Sequence, residues 1–399
     1  MALALALGSL IAAAWAWSRQ DPEALFREAR DELAAGRAES ARRLVERLGR
    51  LRSPTPFDRL LRAQAAEAVG DPDEAVAQLA SIADDHPLAP VARLLAGQVE
   101  MKRSRLRPAE AAFLATIRLE PRSVKPRREL VYLYNLQHRQ RDLDRQLRAM
   151  SELGPLEFEY LVHWAKTRNV VWNPERDTAI LARCVQADPG DRPSRLALAE
   201  GLRRLSRADE AVATLRPLPD SDPEARSIRA RIAAERDDAA ELARLVASAP
   251  TDDPALAPVL GQLALKAGDA PAAVGHFRVA LGADPSDRPT LFGLGQALRQ
   301  AGDPASAEPY LEASRRHDAV TPLVTEASTA AGMADPTLPC RIGEACEAAG
   351  RFAEAAAWFR LAIARDPLDS RAQADLARVA REPDADPGLT TSSRARPRG

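Results

Sequence analysis

The sequence predicts an all-α protein in which about ten helical hairpins stack into a right-handed superhelical solenoid. The residue usage favours helix over strand, since Ala, Leu, Arg, Asp and Glu dominate and only 4% of residues are aromatic. No Gly/Ser-rich linker divides the 399 residues, which indicates a repeat architecture rather than separate domains. Five prolines follow one another at intervals of 34 residues: Pro87, Pro121, Pro155, Pro189 and Pro223. Such a period marks repeat boundaries, because a proline stops one helix before the next begins.

Residues 1–18 precede the repeats and are predicted to be a membrane or export segment. The stretch from Ala2 to Trp17 lacks charge and would span about 24 Å as a helix, a little under the thickness of a bilayer core. Trp15 and Trp17 at the end of the segment favour an uncleaved transmembrane anchor. The alternative is a signal peptide cut after Ala16. We therefore expect a membrane-anchored or exported protein, with the side of the membrane left open.

Repeats 1–6 are predicted to occupy residues 22–225. With the periodic proline at position 32, repeats start at 22, 56, 90, 124, 158 and 192. Position 8 is small, which lets two helices approach closely: Ala29, Ala63, Gly97, Val131, Ala165 and Ala199. Position 24 is a larger apolar residue that fills the space between the helices: Val45, Leu79, Phe113, Leu147, Leu181 and Leu215. Each unit is therefore predicted to be a helical hairpin.

The remaining elements follow a less regular spacing. They are predicted as a short irregular repeat at 226–253, repeats 8 and 9 at 254–321, an insertion at 322–335, repeat 10 at 336–369, a capping helix at 370–381 and a disordered tail at 382–399. The insertion contains Thr, Ser, Gly and Pro, so we expect a surface loop or a short extra helix there.

The pattern resembles the tetratricopeptide repeat, which has Gly or Ala at positions 8 and 20, an apolar or aromatic residue at 24 and Pro at 32. One of the clearest units contains Gly261, Gly268, Ala273, Phe277 and Pro285. The Trp that the family has at position 4 is absent, and its Tyr at position 11 remains only as Tyr134. The combination with the N-terminal segment resembles the bacterial members of the family. The resemblance implies a helical scaffold that binds other proteins.

Motifs that would carry chemistry are absent from the sequence. The five histidines form no HxxxH or HExxH pair, and no phosphate-binding or nucleophile motif occurs. Cys184, Cys340 and Cys346 have no metal-site spacing. The formal net charge of −1 argues against a nucleic-acid binder. We therefore predict no catalytic, cofactor or metal residues, no small-molecule substrate and no enzyme activity.

The resemblance implies that positions 2, 5, 9, 12 and 13 of each first helix line a concave groove that holds the partner. The residues predicted to line it are mostly basic or hydrogen-bonding: Gln98, Lys102, Lys125, Arg128, Tyr132, Asn135, Lys166, Asn169, Arg203 and Arg204. We expect an acidic protein or peptide to bind there, with the membrane as a second partner through the N-terminal segment. The alternative is a non-catalytic accessory or regulatory subunit of a membrane-associated enzyme or of a secretion or assembly complex. Ordinary solvated Arg and Lys side chains would explain the same residues without a partner.

Overall fold

A computed structural model describes residues 21–169 and 174–381. The regular structure in these residues is entirely helical. The chain divides into two compact units, of which the first runs to Leu133 and includes Arg183–Asp191, and the second comprises Tyr134–Ala182 and the chain from Arg192 onward. Each unit is described by itself below. Residues 1–18 and the predicted tail at 382–399 lie outside the described residues.

The first unit consists of hairpins whose two helices are joined by short turns. Its helices are α1 (Pro22–Ala34), α2 (Ala38–Leu51), α3 (Pro56–Ala68), α4 (Pro72–Ala80), α5 (Ala89–Lys102) and α6 (Leu106–Leu119). Helix α7 (Lys125–Leu136) runs across the boundary between the units, and so does α10 (Pro174–Ala187). Neighbouring helices along the chain pack against each other from α1 to α6.

The second unit contains the remaining helices. They are α8 (Gln140–Leu153), α9 (Phe158–Asn169), α11 (Arg192–Arg204), α12 (Ala208–Leu215), α13 (Pro223–Glu235), α14 (Ala239–Ala247), α15 (Ala257–Lys266), α16 (Ala270–Ala283), α17 (Arg288–Gln300), α18 (Pro304–Ala327), α19 (Ala330–Ala334), α20 (Leu338–Ala348), α21 (Phe352–Arg365) and α22 (Ser370–Val379). First helices also contact the first helices of adjacent hairpins, as α11 does with α13 and α13 with α15. This layered packing confirms an all-α fold of repeated hairpins. The count of about ten and the right-handed superhelix remain predictions.

Many of the described helices begin at a side chain that caps the free backbone N–H groups of the first turn. Thr55 and Asp58 form a reciprocal capping box at α3. Asp21, Asp71 and Asp303 each cap a helix whose first residue is proline. At these helices a local signal in the sequence fixes the residue at which the helix begins.

In the hairpins whose turns the structure describes, the turn holds one residue with positive φ, and this residue reveals the register. Glycine occupies it in five hairpins: Gly36, Gly70, Gly268, Gly302 and Gly350. A residue with a side chain occupies it in four others: Ser104, His138, Ser206 and Asp237. Asp237 lies 31 residues after Ser206 and 31 before Gly268. Two consecutive hairpins are therefore shortened equally, where the sequence predicted one short repeat from 226.

The cause of this difference is Pro223, the last proline of the periodic series. It occupies the first turn of α13 and follows the N-cap Asp222, instead of ending the preceding helix. Helices α12 and α14 are both short, with 8 and 9 residues, and this absorbs the missing length. Proline suits both places, since the first turn of a helix needs no N–H from it.

The predicted insertion at 322–335 also differs from a surface loop. Helix α18 continues through Pro322 to Ala327 and reaches 24 residues, and the short α19 follows it. Val320, Val324 and Ala327 on the extended part are buried. Part of the predicted insertion thus lengthens α18 and packs within the second unit. The other prediction for this segment, a short extra helix, is met by α19 alone.

Small residues at position 8 receive large residues from position 24 of the same hairpin, and the sizes compensate. Phe359 lies against Gly343, where a Cβ atom would come within 2.6 Å of the ring. Phe113 and Phe277 lie against Gly97 and Gly261 in the same way. Hairpins with Ala at position 8 have Val or Leu at position 24. Close packing therefore couples the two positions, as expected for interiors of near-crystalline density.

The structure corrects the localisation expected from the sequence. Among residues 21–169 and 174–381, no helix combines the length and the apolar character needed to cross a membrane. Helix α18 reaches the roughly 20 residues of a span, but it carries charged residues such as Glu312, Arg315 and Asp318. The predicted membrane localisation is therefore wrong for the described residues, and the 1–18 segment on which it rested lies outside them.

Candidate partner-binding surface

The first helices of the first unit expose apolar side chains at positions predicted to face a partner. Phe57 of α3 and Val91 of α5 both occupy position 2 of their repeats and are 56% and 45% exposed. The Phe57 ring lies edge-on to His86, which precedes α5, with 6.3 Å between ring centroids. Leu60 and Leu94 at position 5 are half-buried beside them. We call Phe57, Leu60, Val91 and Leu94 the apolar strip.

Polar and basic residues of the predicted groove lie on α5 and on the part of α7 that belongs to the same unit. Gln98 is half-buried and donates from Nε2 to Glu129 Oε1 at 2.8 Å. Tyr132 is 47% exposed, and Lys125 and Arg128 are exposed. Within the described residues Lys125 makes no ion pair, so its charge is available to a ligand.

Lys102 differs from Lys125, because its ammonium group forms an ion pair with Glu67 of α3. This pair links the last turns of two successive first helices. The charge of Lys102 is therefore balanced within the protein, and Lys125 carries the basic end of the first-unit surface.

The basic residues predicted on α11 are neutralised by carboxylates. Arg203 donates to both oxygens of Glu200 at 2.8 and 2.9 Å and also pairs with Glu235 of α13. Arg204 donates from Nε to Glu200 at 2.9 Å. Burial raises the pKa of Glu200, but hydrogen bonds and charge from Arg203, together with Arg231 and Arg204, outweigh it and hold the pKa at about 2. The positive groove expected here is therefore a paired network in the structure.

The predicted residues on α9 are partly covered by other helices of the second unit. Helix α9 packs against α18 and α21, which belong to hairpins far along the chain. Val162, at position 5 of its repeat, is buried and Lys166 is half-buried, as is Asn135 near the end of α7. The side chain of Asn169 lies outside the described residues. The structure thus does not present α9 as an open binding face.

Sequence reasoning found the basic residues of this surface and missed the apolar ones. The signal for Phe57 and Val91 was present, since both are large apolar residues at a position that should face solvent in an isolated array. An exposed apolar residue that recurs at one repeat position is a stronger indication of a partner than exposed Arg or Lys, which water solvates readily.

Comparison with known proteins supports the repeat assignment. A sequence profile described as tetratricopeptide repeat matches residues 60–124, 259–321 and 341–370. No curated protein matches the chain. Solved structures to which the chain shows similarity include the APC/C hetero-tetramer Cut9-Hcn1, at 14% identity over 90% of each chain with a TM-score of 0.36. Yeast Tom70 is 11% identical over 90% of this chain and 88% of its own, with a TM-score of 0.33. A tetratricopeptide repeat protein from Parabacteroides merdae ATCC 43184 is 11% identical over 82% and 98%, with a TM-score of 0.28.

Proposed function

Because this chain carries tetratricopeptide repeats, we propose that it is a non-catalytic scaffold that binds a partner protein through the first-helix surface of its first unit. Tetratricopeptide repeats bury their apolar faces against neighbouring repeats and leave one face of the array for ligands. The observation that carries this proposal is the exposure of Phe57 and Val91 at position 2 of two successive repeats, the position that the exposed Lys125 occupies in the next repeat.

The partner segment that fits this surface combines apolar and acidic residues. Apolar side chains would remove Phe57 and Val91 from water, and each newly buried side chain contributes about 1–2 kcal/mol. An acidic residue would pair with Lys125, which is exposed and makes no ion pair within the described residues. Gln98 of α5 and Tyr132 of α7, both at position 9 of their repeats, can hydrogen-bond to an extended backbone.

The test is selection of binding peptides from a random display library with the full chain as bait. Selected peptides should combine one or two large apolar residues with an acidic residue. Phe57→Ala should then weaken a selected peptide about tenfold, which corresponds to about 1.4 kcal/mol. Lys125→Glu should weaken it more at low salt than at high salt.

Matched controls lie in the second unit. Phe292→Ala removes another aromatic side chain that is 47% exposed, and Lys266→Glu reverses another exposed lysine on a first helix. Both should leave the dissociation constant unchanged, as measured by fluorescence polarisation. Equal losses from Phe57→Ala and Phe292→Ala would contradict the assignment of the surface to the first unit.

A further inference from the structure

The second unit contains a contact that the repeat pattern does not supply. In a solenoid each repeat packs against its neighbours, yet helix α9 packs against α18 and α21, and α8 also packs against α21. We call this set of contacts the closing contact. It joins hairpins near the start of the second unit to the last hairpins of the chain.

An aromatic pair lies at the centre of the closing contact. The ring of Phe158, at the start of α9, meets the Trp358 ring of α21 edge to face, with 5.8 Å between centroids and 83° between planes. The guanidinium of Arg365 lies 4.9 Å from the centroid of the Phe158 ring on another side. Phe158 is thus the residue through which α9 is attached to α21.

Two hydrogen bonds extend the closing contact to α8. Arg360 of α21 donates from Nη1 to Ser151 Oγ at 3.3 Å, near the upper limit for a hydrogen bond. Arg141 donates from Nη2 to the backbone carbonyl of Ala283, at the end of α16, at 3.0 Å. The contact therefore involves three hairpins at the C-terminal side.

We propose that the closing contact is an intramolecular latch, which covers the face of α9 that the repeat register assigns to partner binding and which opens without unfolding of the hairpins. In the closed form Val162 at position 5 is buried, so a ligand and the C-terminal hairpins exclude each other at α9. The idea that α9 binds a ligand when exposed rests on the proposed scaffold function. The latch itself is a property of the free chain.

Polar groups held at unfavourable cost make the closing contact easier to open than a hairpin core. Trp358 is fully buried, and within the described residues its indole Nε1 finds no hydrogen-bond acceptor. Burial also lowers the pKa of the Arg360 guanidinium, an effect that Glu152 partly offsets. The hairpin α20–α21, in contrast, is closed by Phe359 against Gly343 without polar atoms between them.

Two substitutions should move the latch in opposite directions. Phe158→Ala removes the aromatic pair and the cation–π contact, so the amides of α9 should exchange hydrogen about three- to tenfold faster. Arg360→Met keeps a long side chain and removes the desolvated charge, so the same amides should exchange more slowly. Phe292→Ala, an equal change on an exposed face of the same unit, should leave the exchange of the α9 amides unchanged.

The measurement is hydrogen exchange of the full chain, read by mass spectrometry on peptides from α9, α18 and α21. Faster exchange confined to α9 and its contact face after Phe158→Ala, with α12–α14 unchanged, supports the latch. Unchanged exchange in α9, or an equal increase throughout the second unit, overturns it. Because no ligand enters this experiment, a failed latch leaves the peptide-capture result untouched, and failed peptide capture leaves the latch result untouched.

Discussion

The size compensation between positions 8 and 24 predicts a coupling that a double substitution can measure. Gly343 of α20 faces Phe359 of α21, and Phe359 is fully buried. A Cβ atom at Gly343 would lie 2.6–2.9 Å from three atoms of the ring, whereas ordinary contact begins at 3.4 Å. Gly343→Ala should therefore force the ring or the helix to shift.

The magnitude follows from two opposing effects. Overpacking a core costs about 1–3 kcal/mol, while replacing a helical Gly by Ala gains about 1 kcal/mol. Gly343→Ala should therefore destabilise the hairpin by about 0–2 kcal/mol. Phe359→Leu alone should cost about 1 kcal/mol through the space it leaves. The double variant re-creates the Ala–Leu combination that Ala199 and Leu215 already form, so it should be about 1–3 kcal/mol more stable than the sum of the single changes.

The control is Gly275→Ala in α16, where the new Cβ atom would meet nothing within 4 Å. It should stabilise the protein by about 0.5–1 kcal/mol, because only the helix preference acts. Urea unfolding of the full chain gives the overall effect, and hydrogen exchange of α20 and α21 gives the local one, since a repeat array need not unfold in one step. Additive effects of the two changes, or a stabilising Gly343→Ala, would refute the reasoning.

Three further outcomes are expected. The pKa of Glu200 is about 2 because charge and hydrogen bonds from Arg203 and its arginine neighbours outweigh burial. The ionised carboxylate therefore stabilises the protein fully above its ordinary pKa near 4.5, and this stabilisation is lost as the pH falls through 2. Glu200→Gln should weaken the dependence of the free energy of unfolding on pH in this acidic range, as measured by urea unfolding at several pH values. Arg226 and Asp253 form a buried ion pair, so Arg226→Ala should cost about 3–5 kcal/mol in urea unfolding and Arg226→Met clearly less. Burial, with Asp369 nearby, raises the pKa of Cys340 to about 11, so its thiol should react with a disulfide reagent at pH 8 only after unfolding, as measured by absorbance.

Local features of the fold were predictable because each depends on residues close together in the sequence. One period of 34 residues corresponds to one hairpin. The small residue at position 8 and the large residue at position 24 therefore belong to the same hairpin. Pro223 shows the limit of this reasoning. A proline can end one helix or begin the next, so the proline period alone could not distinguish one short repeat from two slightly shortened ones.

The helices that carry the predicted groove residues were predictable, but the pairing of several of their charges was not. The register placed Lys125, Arg203 and Arg204 on first helices, and the structure does so too. Glu200 precedes the two arginines by three and four residues, the spacing at which helical side chains meet, so the sequence did contain the signal for their neutralisation. The pairing of Lys102 with Glu67, from another repeat, depends on how successive first helices pack.

The closing contact lay beyond sequence reasoning for a physical reason. A repeat pattern specifies how each hairpin packs against the next, since only those interfaces recur at every period. Contact between Phe158 and Trp358 depends instead on the rotation that accumulates from one repeat to the next. The two shortened hairpins and the extended α18 both contribute to that rotation. A change of three residues in one hairpin would alter that rotation without disturbing any local interface. The irregular elements of the second unit, which the repeat pattern treats as departures, are therefore the elements that determine whether α9 is open to a partner.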